Sequence, residues 1–330
     1  MNNIIEQMIG RYEPASLYDR KNAMKEVIQE IVLCGLSRAD FFKKAAFYGG
    51  TALRVFYGLD RFSEDLDFSL LKPDPVFELS AYFPTLKKEA EAFGLRVDIS
   101  EKEKNKKSNI QSAFLKGNIK EHLLKFYSDE SLLSSVPSNE VIKIKFEIDT
   151  DPPAYADFEH RYRLQPAPYE ISLYDAPSLF AGKVHAVICR AWQSRVKGRD
   201  LYDYVFYLSQ GIPVNLRHLN ARLVQSGYIG SDLRCTEKDI KDILYDRFAD
   251  IDYEQAKEDV LPFIKDSSSL KLWNREFFKY TLKISHTLSV LSIHYMCCGQ
   301  VILQKNIQAL ACMGLVYYGS LTFLVVQTTL

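Results

Sequence analysis

The segment 47–70 combines a glycine pair with two aspartates, which are residue types suited to phosphate and metal chemistry. Gly49 and Gly50 follow the apolar run 45–48 and precede a helical pattern, so we predict a strand, a turn and a helix. Such a turn directs backbone N–H groups and a helix N-terminus at one point, where a phosphate can bind closely to side-chain-free backbone. Thr51 is predicted to cap the helix.

Asp65 and Asp67 are two residues apart in a predicted strand around 66–70 and therefore share one of its faces. Carboxylates about 7 Å apart along a strand can share a pair of divalent cations about 3.5–4 Å apart. Oxygen ligands of this kind favour Mg²⁺ or Mn²⁺ bridging to substrate phosphates. The alternative is a strand whose acids simply face solvent.

A third carboxylate is expected from the alternating run 141–149, whose polar face carries both acids and lysines. We select Glu147, because it lies well inside the run, whereas Asp149 is close to the prolines that end it. The choice between Glu147 and Asp149 stays open. Lys145 can instead neutralise Glu147 as a pair on the same face.

A second segment, 179–208, concentrates positive charge on a chain whose 42 Lys plus Arg equal its 42 Asp plus Glu. Lys183 lies on a predicted helix, and Asp200 and Asp203 share a face of the next one. Between them come four cations: Arg190, Arg195, Lys197 and Arg199. Cations beside a metal site would hold triphosphate oxygens and stabilise a departing pyrophosphate. The alternative is a helical hairpin with solvated charges.

The elements that must position these residues change in character along the chain, from mixed to helical. The patterns predict an α+β fold with strands at 45–48, 66–70, 95–100, 109–115, 141–149 and 169–174 and helices at 20–44, 52–57, 76–93, 178–191 and 199–208. Three parts follow: an α/β domain over 1–170, a helical domain over 171–283 that completes the active site, and an apolar tail over 284–330.

Composition sets limits on the class of protein. Hydrophobic residues at 47% and charged residues at 25% are typical of a soluble globular chain. The zero net charge excludes a global positive field, so nucleic acid would need a local patch. The six cysteines form no C-x-x-C pair, which argues against zinc and redox motifs. The N-terminus lacks the pattern of a signal peptide, so a cytoplasmic location is expected.

The tail is unlike the rest of the chain, because Lys305 is the only Lys, Arg, Asp or Glu from Ile284 onward. The uncharged stretch 309–330 is about as long as a membrane-spanning helix. Three interpretations stay open: a buried or partner-covered helix pair, a non-native extension, and a membrane anchor.

Three segments together resemble the AbiEii/AbiGii toxin family: GGTALR at 49–54, RFSEDLDF at 61–68, and Lys183 with KGRDLYD at 197–203. Members of this family are nucleotidyltransferase-like toxins of bacterial toxin–antitoxin and phage-abortive-infection systems. The resemblance covers roughly residues 20–280 and implies a nucleotidyltransferase-type mixed sheet of the DNA polymerase β type with flanking helices, followed by an all-helical C-terminal domain.

The resemblance also implies roles for particular residues. The implied metal-binding residues, with catalytic roles, are Asp65, Asp67 and Glu147, the last being the loosest match. Lys183 and Asp203 are implied as further catalytic residues from the helical domain. The implied nucleotide- and phosphate-binding residues are Gly49, Gly50, Thr51, Arg54, Ser63, Arg199 and Asp200.

The implied reaction transfers a nucleoside monophosphate from an NTP to an acceptor, with Mg²⁺ or Mn²⁺ as the cofactor. The acceptor in similar toxins can be the 3′ end of tRNA, and an AbiEi-like antitoxin encoded nearby is the expected partner. A protein acceptor, as in adenylylation, and a catalytically inactive binding module are the alternatives. The sequence does not identify which NTP is used.

Overall fold

The structure is a computed structural model that describes residues 3–14, 16–102, 109–118, 136–190 and 196–284. The chain divides into two compact units. The first comprises Met1–Ala191, Val214–Glu237 and Pro262–Lys265; the second comprises Trp192–Pro213, Lys238–Leu261 and Asp266–Leu330. The apolar tail that the sequence sets apart lies outside the described residues from 285 onward.

The first unit contains a mixed sheet, in which seven strands are described. They are β1 (Ala45–Tyr48), β2 (Leu66–Leu70), β3 (Asp98–Glu101), β4 (Ile110–Asn118), β5 (Val141–Asp149), β6 (Phe158–Arg163) and β7 (Tyr169–Tyr174). The spatial order is β3-β4-β5-β2-β1-β7-β6. The β1–β7 and β2–β5 pairs are parallel, and the other neighbours are antiparallel. The predicted α+β class is therefore confirmed.

The described α-helices are, in chain order, α1 (Asn3–Gly10), α2 (Leu17–Arg38), α3 (Gly49–Tyr57), α4 (Phe83–Ala92), α5 (Ala176–Cys189), α6 (Gly198–Ser209), α7 (Leu216–Gln225), α8 (Glu237–Arg247), α9 (Tyr253–Val260) and α10 (Arg275–Ile284). Helices α1 to α5 and α7 belong to the first unit, and α6, α9 and α10 belong to the second, together with α8 from Lys238 onward. No helix among the described residues is long and apolar enough to cross a bilayer.

Strand β5 shows how the core decides which face of the sheet is left for chemistry. Its alternate residues Ile142, Ile144, Phe146 and Ile148 are fully buried in the main core of the first unit. Because side chains alternate across a strand, Glu147 must project to the opposite face.

Helix α2 closes the core side of the sheet. Ser16 caps it in a reciprocal capping box with Asp19, in which each side chain accepts from the other residue's backbone N–H. Val27, Ile28 and Ile31 are buried on this helix, which contacts β5 and β7. The apolar face of the sheet is thereby covered, and its polar face stays available.

The structure confirms the strands predicted at 45–48, 66–70, 141–149 and 169–174, but it corrects two other elements. The helix predicted from residue 76 begins only at Phe83, after a 3-10 turn at Leu79–Tyr82. Strand β6 was not predicted, because as an edge strand with mostly exposed residues it has no apolar alternation to reveal it.

The second unit is held by aromatic packing and one close backbone contact. The Tyr204 and Phe248 rings lie 5.5 Å apart, and the Phe248 and Phe278 rings 5.3 Å apart, between centroids. A Cβ on Gly198 would lie 1.7 Å from the carbonyl oxygen of Ala256, so only glycine allows α6 to begin this close to α9. Helices α5 and α7 contact each other in the first unit; the domain boundary expected at residue 170 stays a prediction.

Candidate functional site

The Gly-Gly turn begins directly where β1 ends and is shaped around a carboxylate. Gly49 has a φ of +82°, a conformation that side-chain-bearing residues rarely adopt. A Cβ at this position would lie 2.4 Å from Oδ2 of Asp67, so a side chain here would displace that carboxylate. The N-terminus of α3, with its unpaired N–H groups and positive dipole end, therefore begins beside Asp67.

Gly50 allows an equally close approach by a second group. A Cβ there would lie 2.7 Å from Nη2 of Arg61 and 3.0 Å from Oγ of Ser63. Arg61 is 3% exposed, and its Nη1 donates to the carbonyl of Phe62 at 2.8 Å. A guanidinium is thus held against a turn suited to anions. We did not predict Arg61 as a site residue; the signal was an arginine placed between the glycine pair and the acidic pair.

Thr51 connects the turn to the loop that carries the acidic residues. It lies inside α3 and does not cap the helix, since the helix begins two residues earlier and Tyr48 holds the capping position. Its buried hydroxyl donates instead to the carbonyl of Asp65, and its Oγ1 is 2.8 Å from Oγ of Ser63. The predicted cap is therefore wrong, and Thr51 positions the loop before β2.

Gln29 of α2 fixes the same loop from the other side. Its side-chain amide donates to the carbonyls of Ser63 at 3.1 Å and Glu64 at 2.8 Å. Because the side-chain amide of Gln29 is fully buried and binds two backbone carbonyls, it holds the segment before β2 in one conformation. Asp65 is exposed at the end of this segment, immediately before the strand.

Sheet register places the carboxylates side by side. Asp67 of β2 lies opposite Tyr48 of β1 and, in the parallel direction, opposite Glu147 of β5. Burial raises the pKa of Asp67 to about 7, and the negative charges of Asp65 and Glu147 contribute to this rise. The positive charges of Lys145 and Lys183 offset part of it. The Asp67 carboxyl group therefore lies in a cluster of like charges.

The structure distinguishes the two candidates for a third carboxylate by their neighbours. Glu147 accepts a hydrogen bond from the hydroxyl of Ser112 and forms an ion pair with Lys145, the pairing that the sequence left open. Asp149 lies beside Ser69 instead of Asp67, and its Oδ1 accepts from the N–H of Asp151 at 3.0 Å.

Lys183 is the predicted site residue that joins this cluster from a helix. Asp175 caps α5 by accepting a hydrogen bond from the N–H of Ser178, which sets the start of the helix. The half-buried Lys183 lies two turns further on, and its positive charge lowers the pKa of Asp67. The charge of Lys183 thus acts on Asp67 together with the charges of Asp65 and Glu147.

The contacts of Arg54 are with residues of the fold and indicate a structural role. Its Nε lies 3.0 Å from Oε1 of the buried Glu26, and its Nη1 donates to the carbonyl of Leu59 at 2.9 Å. Its guanidinium carbon also lies 5.1 Å from the centre of the Phe62 ring. Its role as a phosphate ligand stays a prediction.

Three predicted site residues belong to the second unit, on α6. Asp203 and Asp200 are buried at 0% and 3% exposure, and Nε of Arg199 lies 3.9 Å from Oδ2 of Asp259 on α9. Their roles stay predictions. Of the four cations named in this region, Arg195 lies outside the described residues.

The carboxylates of this cluster suit a divalent cation that is bound partly through water and substrate. Within the described ranges, no three His, Cys, Asp or Glu side chains are grouped closely enough to form a complete metal site. Mg²⁺ does not require one, because it keeps several waters and binds through one or two carboxylates plus substrate phosphates. Asp65 and Asp67 fit this mode, and a cation would offset the like charges that raise the pKa of Asp67.

The mixed sheet with its flanking helices matches the fold of a nucleotidyltransferase toxin of known structure. MenT4, a nucleotidyltransferase toxin from Mycobacterium tuberculosis H37Rv, shares this fold with a TM-score of 0.51 at 15% identity, over 93% of this chain and 98% of that one. JHP933 from Helicobacter pylori aligns with a TM-score of 0.45 at 17% identity, over 88% and 97% of the two chains.

Residues 31–278 match the profile described as "Nucleotidyl transferase AbiEii toxin, Type IV TA system". The chain therefore belongs to the AbiEii family of nucleotidyl transferase toxins, as the resemblance of its motifs implies. No protein of curated function matches it significantly.

Proposed function

We propose that this protein transfers a nucleoside monophosphate from an NTP to the 3′ end of an RNA, with tRNA as the expected acceptor. The observation that carries the proposal is the contact between Gly49 and Asp67, with Glu147 in register beside them. A helix N-terminus suited to phosphate thereby begins at a carboxylate suited to a divalent cation. Both are requirements of nucleotidyl transfer.

The residues of the turn would bind the triphosphate. The N–H groups at the start of α3 would donate to phosphate oxygens, which approach closely because Gly49 and Gly50 have no side chains. Arg61 and Ser63 lie against Gly50 and would add a cation and a hydroxyl to the same oxygens.

Asp65 and Asp67 would hold Mg²⁺ or Mn²⁺, with Glu147 as a third ligand or as the group that accepts a proton. When bound, such cations neutralise phosphate charge and lower the pKa of an attacking hydroxyl. Lys145 next to Glu147 and Lys183 near Asp67 limit the negative charge of the metal-free site.

In the transfer, the 3′ oxygen of the acceptor forms a bond to the α-phosphorus, and the bond from that phosphorus to the oxygen bridging to the β-phosphate breaks. The hydroxyl proton goes to Glu147 or to water, and pyrophosphate leaves with the electron pair of the broken bond. Lys183 would stabilise the charge on the leaving pyrophosphate. A contribution of Arg199, Asp200 and Asp203 to nucleotide binding and transfer stays a prediction.

The test is label transfer from each of the four α-³²P-labelled NTPs, with Mg²⁺, total tRNA and purified protein. We expect label in RNA with one preferred nucleotide and none with EDTA. Label that enters protein and never RNA would replace the RNA acceptor with a protein one, as in adenylylation. No transfer to any acceptor, together with an Asp65→Ala variant as toxic in cells as the parent, would reduce the site to a binding module.

Membership of a type IV toxin–antitoxin family implies an antitoxin partner. We propose that an AbiEi-like antitoxin is encoded nearby and that the protein acts in the cytoplasm, where NTPs and tRNA are found. Co-expression of the adjacent gene should restore growth to cells that express the active protein.

A further inference from the structure

A small cleft in the first unit lies beside the loop that follows β5 and has no part in the proposed transfer step. Its volume is about 270 Å³. The loop contributes Pro153 and Tyr155, α7 contributes Arg217, Ala221 and Val224, and Arg234 completes the lining. The cleft therefore combines an aromatic ring with two arginines on an apolar floor.

The backbone of this loop is held in place by side chains at the start and along the length of α7. Each of the three side chains hydrogen-bonds to a different loop carbonyl: Gln225 to Asp151 at 2.7 Å, His218 to Ala154 at 2.9 Å and Asn215 to Tyr155 at 3.0 Å. Burial lowers the pKa of His218 to about 4, so its ring is neutral at pH 7 and must donate through Nδ1 to reach a carbonyl. The loop conformation is thus determined before any ligand binds.

The loop after β5 exposes the side chain of Tyr155. Its φ is +65°, a left-handed conformation that is unfavourable for a bulky side chain. Its side chain is 56% exposed, and the guanidinium carbon of Arg217 lies 4.6 Å from the ring centroid. Three side chains thus hold a strained backbone in a conformation that exposes an aromatic ring. An exposed ring does not stabilise the core, whereas such strain is typical of a binding site.

The chemistry of the cleft favours a nucleic acid strand. Unpaired bases are bound by stacking on aromatic rings and guanidinium planes, and their phosphates by nearby cations. A volume of about 270 Å³ is just below the roughly 300 Å³ of the smallest typical ligand pockets, which suits one base. A standard protein partner would need about 800 Å² of interface on each side.

We infer that this cleft binds single-stranded RNA close to its acceptor end, with one base stacked at Tyr155 and phosphates contacted by Arg217 and Arg234. The inference rests on the proposed function, because it supplies the binding surface for that acceptor. Tyr155 follows Glu147 by eight residues in the chain, so the two are at most about 29 Å apart. A strand of a few nucleotides can cover that distance.

Binding can be measured by fluorescence anisotropy with a fluorescein-labelled 12-nucleotide single-stranded RNA and with labelled bulk tRNA. We expect Tyr155→Ala to weaken both affinities at least tenfold, because stacking of one base contributes about that factor. Tyr155→Phe should stay within about twofold of the parent, since it keeps the ring. Arg217→Ala and Arg234→Ala should each make the salt dependence shallower, by about 0.7 in the log–log slope.

A matched control exists in the second unit, where Nζ of Lys279 lies 4.0 Å from the ring centroid of the 49% exposed Tyr245. Tyr245→Ala makes the same change at a similar pair and should alter RNA affinity less than twofold. Equal losses from Tyr155→Ala and Tyr245→Ala would overturn the inference. The inference would also be overturned if Tyr155→Phe bound RNA as weakly as Tyr155→Ala, because the aromatic ring would then not be the group that binds the base.

Label transfer separates this inference from the proposed function. If the parent binds RNA through Tyr155 but transfers no nucleotide to it, the proposed function fails and the cleft inference stands. If the parent labels RNA and Tyr155→Ala does so with an unchanged KM, the cleft inference fails and the proposed function stands. Label in a protein acceptor that depends on Tyr155, without RNA binding, would assign the cleft to a protein and overturn the inference.

Discussion

The first unit contains two groups of neighbouring carboxylates whose charges are balanced in different ways. Glu26 and Glu30 are each 4% exposed, and burial raises the pKa of both. Arg54 and Arg163 pair with them at 3.0 Å and 2.9 Å. Burial also raises the pKa of Asp67, but there the negative charges of Asp65 and Glu147 add to the effect, and the nearby Lys145 forms its ion pair with Glu147.

We interpret this difference as one between structural acids and the acids of the proposed site. A buried carboxylate with an arginine partner has its charge and hydrogen bonds satisfied within the protein. The Asp67 carboxylate has two other carboxylates close enough to raise its pKa, and groups with such perturbed pKa values concentrate at functional sites. The glycine whose missing Cβ leaves room for Asp67 supports the same interpretation.

The largest expected effect is on catalysis. Asp67→Asn should lower nucleotide transfer by about 10³-fold or more, because it removes a charge required for the metal and keeps the side-chain volume. Glu147→Gln should cause the next largest loss of transfer. Asp149→Asn should keep a transfer rate within about tenfold of the parent, since Asp149 lies beside Ser69 and not beside Asp67. Initial rates of label transfer provide the measurement. An Asp149→Asn loss greater than that of Glu147→Gln would move the third carboxylate to Asp149.

The next effect is on stability at the paired acids. Arg54→Ala should lower the free energy of unfolding by about 3 kcal/mol, because it removes the ion-pair partner of the buried Glu26. The double variant Glu26→Leu, Arg54→Met should recover most of that loss, since an apolar pair of similar volume needs no partner. Urea denaturation monitored by circular dichroism measures both. A stable double variant that has lost transfer would show that Arg54 also binds phosphate.

A smaller effect is expected at the turn itself. Gly49→Ala should cost about 1–3 kcal/mol of stability and at least tenfold in transfer, because its Cβ would meet Asp67 as well as strain the backbone. Gly94→Ala is the control, since Gly94 has a similar φ of +79° and open space around its Cβ. Melting temperature and transfer rate distinguish the two. Equal losses in both variants would reduce the role of Gly49 to its backbone conformation.

The smallest effect is on the stability of the metal-free protein. In EDTA, Asp67→Asn should raise the free energy of unfolding by about 1 kcal/mol, because it relieves repulsion between like charges. Mg²⁺ should raise the melting temperature of the parent and leave that of Asp67→Asn unchanged. Thermal unfolding with and without Mg²⁺ makes the comparison. The same rise in both proteins would place the bound cation elsewhere.

Elements with a strong local pattern could be predicted from the sequence, and β5 is the clearest example. Its apolar and polar residues alternate, so both the strand and the polar face that carries Glu147 were predicted. The start of α3 was predicted three residues late, because Gly49 and Gly50 were assigned to the turn although they form its first residues. Strand β6 has no such pattern, since it is an edge strand exposed on most of its length.

The same distinction between local pattern and distant packing applies to the site residues. Asp65 and Asp67 could be identified as neighbours from their spacing, although the strand begins only at Leu66 and Asp65 lies just before it. Arg61 could not, because its approach to Gly50 depends on how the loop before β2 folds back over the turn. Tyr155 had no signal at all, since its exposure and positive φ follow from hydrogen bonds made by a helix that begins some sixty residues later.

By itself, the sequence determined the break at the Gly49-Gly50 pair, the acidic pair and the family that carries both, because these are short-range patterns of residue type. Only the tertiary structure decided that Glu147, 80 positions after Asp67, lies directly beside it, and that the Asp67 carboxyl occupies the space a Cβ on Gly49 would need. Strand register and close backbone contacts depend on packing between distant segments, and no local pattern encodes that packing.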